Sequence, residues 1–231
     1  MEIGGFQTVS LIDYPGKISC IVFTIGCNFR CPFCYVPQLV IPEKAKKLRR
    51  IPEEVVLSYL DRNRELLDAV VITGGEPTLQ KDLKEFIIKV KKIKNFLVGI
   101  ETNGSNSHLL EDLIKSKLVD YISMDVKNVI EFKRYRKASN LSKKDFENVK
   151  KSIEIIKKSK IHHEFRTTVV KGIHTEEDIK NLYKVFNGEN YYFQKFKKFG
   201  PLVGKKSKNL KPYEKSEIEK ILNTEKINFR E

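Results

Sequence analysis

Six short apolar runs punctuate the chain, at 18–24, 69–73, 96–102, 121–125, 163–170 and 191–196. Each is nearly continuous in apolar or β-branched residues, the pattern of strands buried on both faces. Segments of helical period lie between them. Val55, Val56 and Leu60 follow Pro52, a residue suited to the first helical position. Leu79, Leu83, Phe86, Ile87, Val90 and Ile93 form one apolar stripe, and Leu109, Leu110, Leu113 and Ile114 another. Ser142 with Asp145, and Thr175 with Asp178, have the layout of caps. They precede Phe146, Val149, Ile153 and Ile156 in one case, and Ile179, Leu182 and Phe186 in the other.

Strand–helix–strand repetition predicts a parallel sheet with helices outside, and six strands suit an open, partial barrel. Polar motifs follow the C-terminal ends of the strands, where barrel-type enzymes place their chemistry. Residues 1–200 form the expected core with an N-terminal lead-in. The Lys-rich segment 201–231 is expected to pack on that core and cover one edge. At 231 residues and 40% hydrophobic composition, the chain can bury a substantial core. It carries no apolar run long enough to cross a membrane, and residues 1–7 lack the layout of a signal peptide, so a cytoplasmic protein is expected. The net charge of +14 admits two readings. One is attraction to nucleic acid or an acidic protein, and the other is the Lys/Glu-rich composition of a hot-living source. Residues 127–160 hold 12 Lys/Arg against 4 Asp/Glu, which reads first as a solvated helix face.

Cysteine usage sharpens the picture. Cys27, Cys31 and Cys34 sit in one loop after the first strand run, spaced C-x3-C-x2-C. Clustered cysteines in a long chain read as metal or redox chemistry rather than a disulfide framework. Three thiolates can hold three irons of a four-iron cube, leaving the fourth iron open. Zinc is the rival: it needs four ligands, and no fourth lies close in sequence, although a remote His could supply one. Cys20, mid-strand, reads as a small core residue.

The loop, including Phe33 just before the third cysteine, resembles the cluster motif of the radical S-adenosylmethionine (SAM) superfamily. The resemblance implies an α/β fold, a partial (β/α)6 TIM-like barrel of the radical SAM type. It also implies two cofactors, a [4Fe–4S] cluster on Cys27, Cys31 and Cys34 and S-adenosyl-L-methionine, whose methionine part chelates the open iron. Reductive cleavage would then release a 5′-deoxyadenosyl radical. No general acid–base pair is required, and none is evident.

The strand-end motifs fit the same picture. Gly74-Gly75-Glu76 allows close approach to the backbone, and its carbonyls and carboxylate could accept hydrogen bonds from an ammonium group; alone, it would be a plain turn. It resembles the motif that binds the methionyl amine. Glu101-Thr102-Asn103, small and polar at a strand end, suits ribose or carboxylate binding and resembles a cofactor-facing segment of glycyl-radical-enzyme activases. Asp125 and Lys127 share one face by alternation, and the resemblance makes them contacts at the carboxylate end of the cofactor. Arg166 matches carboxylate geometry, either of the cofactor or of Asp125 or Glu101. Gln194 enters through the resemblance alone. His174, in a loop, reads as a surface residue.

The lead-in, with Ser10-Leu11-Ile12-Asp13-Tyr14-Pro15-Gly16-Lys17, narrows the resemblance to activating proteins of anaerobic ribonucleoside-triphosphate reductase. It covers most of residues 4–200, and Tyr35-Val36 stands where many activases carry His-Asn. The implied partners are a glycyl radical enzyme, namely that reductase, and an electron donor such as ferredoxin or flavodoxin. No membrane is implied, and no RNA-binding appendage is visible. The alternatives are a radical SAM enzyme acting on a small molecule, like the 7-carboxy-7-deazaguanine synthases, or on RNA.

Overall fold

The computed structural model describes residues 1–204 and 209–231. In chain order the elements are β1 (Ile3–Ser10), β2 (Ser19–Thr24), α1 (Pro37–Val40), α2 (Pro42–Ala45), α3 (Glu53–Arg62), β3 (Ala69–Gly74), α4 (Leu83–Ile93), β4 (Leu97–Thr102) and α5 (Ser107–Lys115). Then follow β5 (Tyr121–Asp125), α6 (Phe132–Ser139), α7 (Lys143–Lys158), β6 (His162–Lys171), α8 (Glu176–Val185), β7 (Tyr191–Lys195), β8 (Lys211–Pro212), α9 (Lys215–Leu222) and β9 (Phe229–Arg230). Strands β2 to β7 pair in sequence order, every pair parallel. With right-handed crossovers, sequential order puts every helix on one face and curls the sheet into a barrel wall. Among the described residues the wall stays open: β1 lies antiparallel along one edge and β9 parallel along the other.

Alternation along the strands separates two environments. Val70, Ile72, Val98, Ile100, Ile122 and Met124 pack outward against Leu60, Phe86, Val90, Leu110, Leu113 and Val149 of the helices. The other face lines the lumen. At its floor, Ala69, Val71, Leu97 and Tyr121 surround the ring of Tyr14, which contacts the Tyr121 ring at a centroid separation of 5.3 Å. Gly99 leaves the space for this plug, since a Cβ there would stand 3.2 Å from Tyr14 Cδ2. The Asp-Tyr-Pro-Gly turn thus plugs the barrel from below.

Higher in the lumen, the buried Glu164 carboxylate accepts hydrogen bonds from Arg230 Nη1 and Nη2, 2.7 and 2.6 Å, and from Ser123 Oγ, 2.8 Å. The Arg230 guanidinium lies over the Tyr192 ring, 4.1 Å from its centroid. The C-terminal segment therefore supplies β9 and a cation for the lumen. It also places β8 antiparallel to β6 and α9 beside α8.

Two helix starts differ from expectation. Pro52 is the N-cap of α3, with an extended ψ of 141°, and Val55 points to solvent. Leu79 leaves the α4 stripe: it ends a separate 3-10 turn, Pro77–Leu79, and is 42% exposed. That turn exists because Glu76 accepts the Thr78 N–H and caps a short helix of its own. Both cap arrangements formed as expected, with Ser142 accepting from Asp145 N and Thr175 making a full capping box with Asp178.

Replacing Tyr14 by Ala opens a cavity at the lumen floor and is expected to cost about 3 kcal/mol of unfolding free energy. Tyr14→Phe, which keeps the ring, should cost under about 1 kcal/mol; urea denaturation followed by circular dichroism measures both.

Candidate active site

The loop between β2 and α1 carries the three cysteines, and its backbone is held from several sides. Gly26 N donates to Leu39 O at 2.8 Å, Arg30 N to Ser139 O at 2.8 Å, and Cys34 N to Cys31 O at 3.1 Å. The Arg30 guanidinium folds back onto the Cys27 and Phe29 carbonyls. Phe29 and Phe33 anchor the loop in the core. A strap after β7 lies along it, with Val203 N donating to Cys34 O at 2.9 Å and Gly204 N to Pro32 O at 3.1 Å.

Cys27, Cys31 and Cys34 face a cavity of about 360 Å³ at the C-terminal end of the parallel strands. All eleven other candidates line the same cavity: Phe33, Gly74, Gly75, Glu76, Glu101, Thr102, Asn103, Asp125, Lys127, Arg166 and Gln194. Tyr35 stands half-exposed at the cavity wall with its ring edge-on to exposed Phe199, 5.7 Å between centroids. Burial pushes the Cys27 and Cys31 thiols up to about 12 and raises Cys34 as well. Without metal they are protonated, so iron must displace their protons on binding. The donor set fits a four-iron cube: three soft ligands on one cavity, each available to a different iron. Among the described residues, no three His, Cys, Asp or Glu side chains are gathered as ligands of a single ion. Asn103 Nδ2 also donates toward Cys27 Sγ at 3.9 Å.

The glycine pair has a reason beyond ligand access. Gly74 has φ +110°, and a Cβ on Gly75 would stand 2.0 Å from Gly26 O. The end of β3 runs so close to the start of the cysteine loop that no side chain fits between them. Gly75 N donates to Thr24 O and Glu76 N to Gly26 O across this contact. Glu76 is 1% exposed and already engaged: Oε1 accepts from Thr78 N, Thr78 Oγ1 and Thr102 Oγ1, and Oε2 from Asn103 N. A carboxylate offers about four lone-pair sites, so capacity remains on Oε2. Burial raises the Glu76 carboxyl above its usual range, against these four donors.

Four charges from neighbouring strands close into one network. Arg166 donates through Nη1 to Glu101, 2.9 Å, and through Nε to Asp125. Lys127 Nζ donates to Asp125 Oδ2 at 2.8 Å, and Thr73 Oγ1 to Glu101 Oε2 at 2.8 Å. Burial alone would raise both carboxyls, but the Arg166 charge outweighs it, with Lys127 assisting at Asp125. Asp125 is held far below the ordinary carboxylate range, and Glu101 is lowered too. Arg166 thus pairs with both of its alternative protein partners while still lining the cavity.

His174 corrects the expectation of a surface residue: it is 2% exposed. Its Nδ1 accepts from Val170 N at 3.0 Å, so Nε2 carries the proton and donates to Lys127 O at 2.9 Å. Burial lowers its pKa, and the neutral ring braces the backbone of Lys127 from beside Phe33. Tyr213, from the C-terminal segment, donates to His174 O at 3.0 Å and covers it.

The sequence profile of the Radical SAM superfamily matches residues 21–186. A Methanocaldococcus jannaschii protein named provisionally as a glycyl-radical enzyme activating enzyme is 38% identical over 199 residues, covering 84% of this chain and 79% of that protein. The pyruvate formate-lyase-activating enzyme of Clostridium pasteurianum is 29% identical over 164 residues, covering 67% of this chain and 64% of that one. Among solved structures, Streptococcus suis SuiB bound to its precursor peptide SuiA superposes with a TM-score of 0.65 at 16% identity, over 91% of this chain and 47% of SuiB.

Gly75→Ala is expected to cost about 3 kcal/mol or more, because the obstacle is backbone that cannot move aside; thermal denaturation detects it. Arg166→Ala leaves the half-buried Glu101 carboxylate without its cation and Asp125 with Lys127 alone, and should cost about 2 kcal/mol at neutral pH. Because the folded protein holds Asp125 and Glu101 below their unfolded values, their contribution is complete above about pH 5 and is lost as the pH falls through the lowered values. The difference between wild type and Arg166→Ala should accordingly shrink on acidification, which urea unfolding at pH 7 and at pH 4 measures.

Proposed function

The chain belongs to the Radical SAM superfamily, a family that uses a [4Fe–4S] cluster and S-adenosylmethionine, and from that premise we propose that it is an activating enzyme that generates a glycyl radical on a partner enzyme. The partner in this reading is anaerobic ribonucleoside-triphosphate reductase, acting in the cytoplasm with a ferredoxin or flavodoxin as electron donor. One observation carries the reading: three thiols and a set of zwitterion-matching groups converge on one cavity. The similarity to the M. jannaschii and C. pasteurianum proteins supports an activase. The lead-in motif around Asp13-Tyr14-Pro15-Gly16 supports the reductase as its target.

Cys27, Cys31 and Cys34 would hold three irons as thiolates, leaving one corner of the cube for the methionyl amine and carboxylate. When bound, the cluster supplies the single electron that breaks a carbon–sulfur bond of the sulfonium. The chain's own residues position and shield. The carbonyls of Gly74 and Gly75, with Glu76 Oε2, would accept hydrogen bonds from the methionyl amine. Lys127 and Arg166 present cations to the carboxylate, and their pairing with Asp125 and Glu101 fixes both in advance. A preorganised pair loses little on binding, since its reorganisation is complete in the folded protein. Thr102 and Asn103 are oriented by Glu76, and Gln194 would contact the cofactor from the cavity wall. Phe29, Phe33 and Phe196 supply apolar wall that keeps water from a reactive radical. A barrel left open at its side admits a glycine-bearing loop.

Anaerobic reconstitution should give about four irons per chain. Cys27→Ser, Cys31→Ser and Cys34→Ser should each lose most of it, read by iron assay and the visible spectrum. Incubated with S-adenosylmethionine, a reductant and the anaerobic reductase, the wild type should produce a glycyl-radical doublet in the electron paramagnetic resonance spectrum of the reductase. Cofactor cleavage coupled instead to a small purine or pterin substrate, with no doublet, would reject the activase reading.

A further inference from the structure

Residues 127–160, with 12 Lys/Arg against 4 Asp/Glu, carry more than half of the net +14 charge. Helix α6 and the first turn of α7 meet at a corner bearing five exposed cations: Lys133, Arg136, Lys137, Lys143 and Lys144. Among the described residues none of the five has a carboxylate within ion-pair distance, whereas their neighbour Arg134 is taken up by Glu131, Glu177 and Asp178. Of the acids on the first turns of α7, Asp145 is engaged by Asn28 and by the Ser142 cap, and Glu147 by Lys150.

The corner forms the outer wall of the cysteine loop. Arg30 N donates to the carbonyl of Ser139, the last residue of α6, at 2.8 Å, and Asn28 Nδ2 donates to Asp145 Oδ1 at 3.2 Å. The loop therefore has two faces. Its cysteines line the cavity, while Asn28 and Arg30 hold the cationic corner. Beneath the corner, wholly buried Tyr135 fills the space between α6 and the end of β5, close to Lys127 and Cys31.

We propose that this corner is the docking surface for an acidic one-electron carrier protein that reduces the cluster through the back of the cysteine loop. The step balances simply: the carrier loses one electron, the cluster gains one, and no proton or group is transferred. The proposal rests on the cluster assignment made above but not on which substrate receives the radical. A substrate must enter the cavity, whereas an electron need only reach the loop, so a carrier on the outer face leaves the cavity free. Unpaired like charges facing solvent steer an oppositely charged partner and raise its association rate. A nucleic acid would share the charge complementarity. It would lack stacking partners, because the two aromatic rings beside the corner, Phe132 and Phe146, are half-buried and buried and pack on each other, 5.6 Å between centroids.

The test uses reconstituted protein and an acidic [2Fe–2S] ferredoxin as the probe. The variant K133E/K137E/K143E/K144E reverses the corner; K44E/K46E/K47E reverses another exposed cationic stretch, which has no hydrogen bond to the cysteine loop among the described residues. At low salt the corner variant should lose about tenfold or more in ferredoxin affinity by calorimetry, and in the rate of cluster bleaching by reduced ferredoxin. The control should stay within about twofold. Bleaching by dithionite and binding of S-adenosylmethionine should be unchanged in both, so that a damaged site is recognised. Equal ferredoxin affinity in wild type and corner variant, an equal loss in the control, or tighter corner-dependent binding of a single-stranded RNA than of ferredoxin would overturn the proposal. A normal ferredoxin response with no radical on the reductase would instead overturn the choice of substrate.

Discussion

Two carboxylates at the cavity and one deeper in the lumen are met by cations from neighbouring strands, and the geometry of the site depends on that pairing. An unpaired carboxylate in such surroundings would neutralise itself or unfold its neighbourhood. Glu164 is met by Arg230 low in the barrel, and Glu101 and Asp125 are met by Arg166 and Lys127 at the cavity. Four of these six groups come from the parallel strands β4, β5 and β6, and Arg230 comes from β9 at the end of the described chain. The charges therefore tie neighbouring strands together and fix the direction of each side chain at the mouth. Below them Tyr14 plugs the lumen floor, and the polar cavity opens toward the cysteines.

The second constraint is the contact of backbone with backbone where β3 leaves the sheet. Gly75 and Gly26 touch with no room for a side chain, and this seats the Gly-Gly-Glu turn against the cysteine loop. Glu76 then spends its hydrogen bonds ordering Thr78, Thr102 and Asn103. One acidic residue thereby joins the ends of β3 and β4 and aligns both with the cysteine loop. The carbonyls, more than the carboxylate, are what this turn leaves available to a ligand.

The six inner strands were legible because each is short, continuous and bounded by turn residues. Most of the fourteen candidate positions were legible because they stand at strand ends or in a tight cysteine spacing; Arg166 lies within β6, and Gln194, within β7, entered through the resemblance alone. What escaped depends on partners distant in sequence. His174 looked like a loop residue because nothing local shows Tyr213 covering it or Lys127 O receiving its proton. Arg230 looked like part of a basic tail, yet its partner Glu164 lies 66 residues away. Tyr14 was visible in its motif, but its role needed the gap left by Gly99. Strand β1 escaped because Ile3–Ser10 lacks the continuous apolar run of the inner strands: it is an edge, with Gln7, Thr8 and Val9 exposed. Leu79 matched the helical period but was claimed by the Glu76-capped turn.

In the proposed cluster assignment, three cysteines hold three corners of an iron cube and leave the fourth to a sulfonium compound. Electron–nuclear double resonance on the reduced, reconstituted protein tests it most directly, using S-adenosylmethionine labelled with 15N in the amino group and 17O in the carboxylate. The account predicts hyperfine coupling from both labels to the cluster. A paramagnetic cluster that shows neither coupling with the cofactor bound would contradict it.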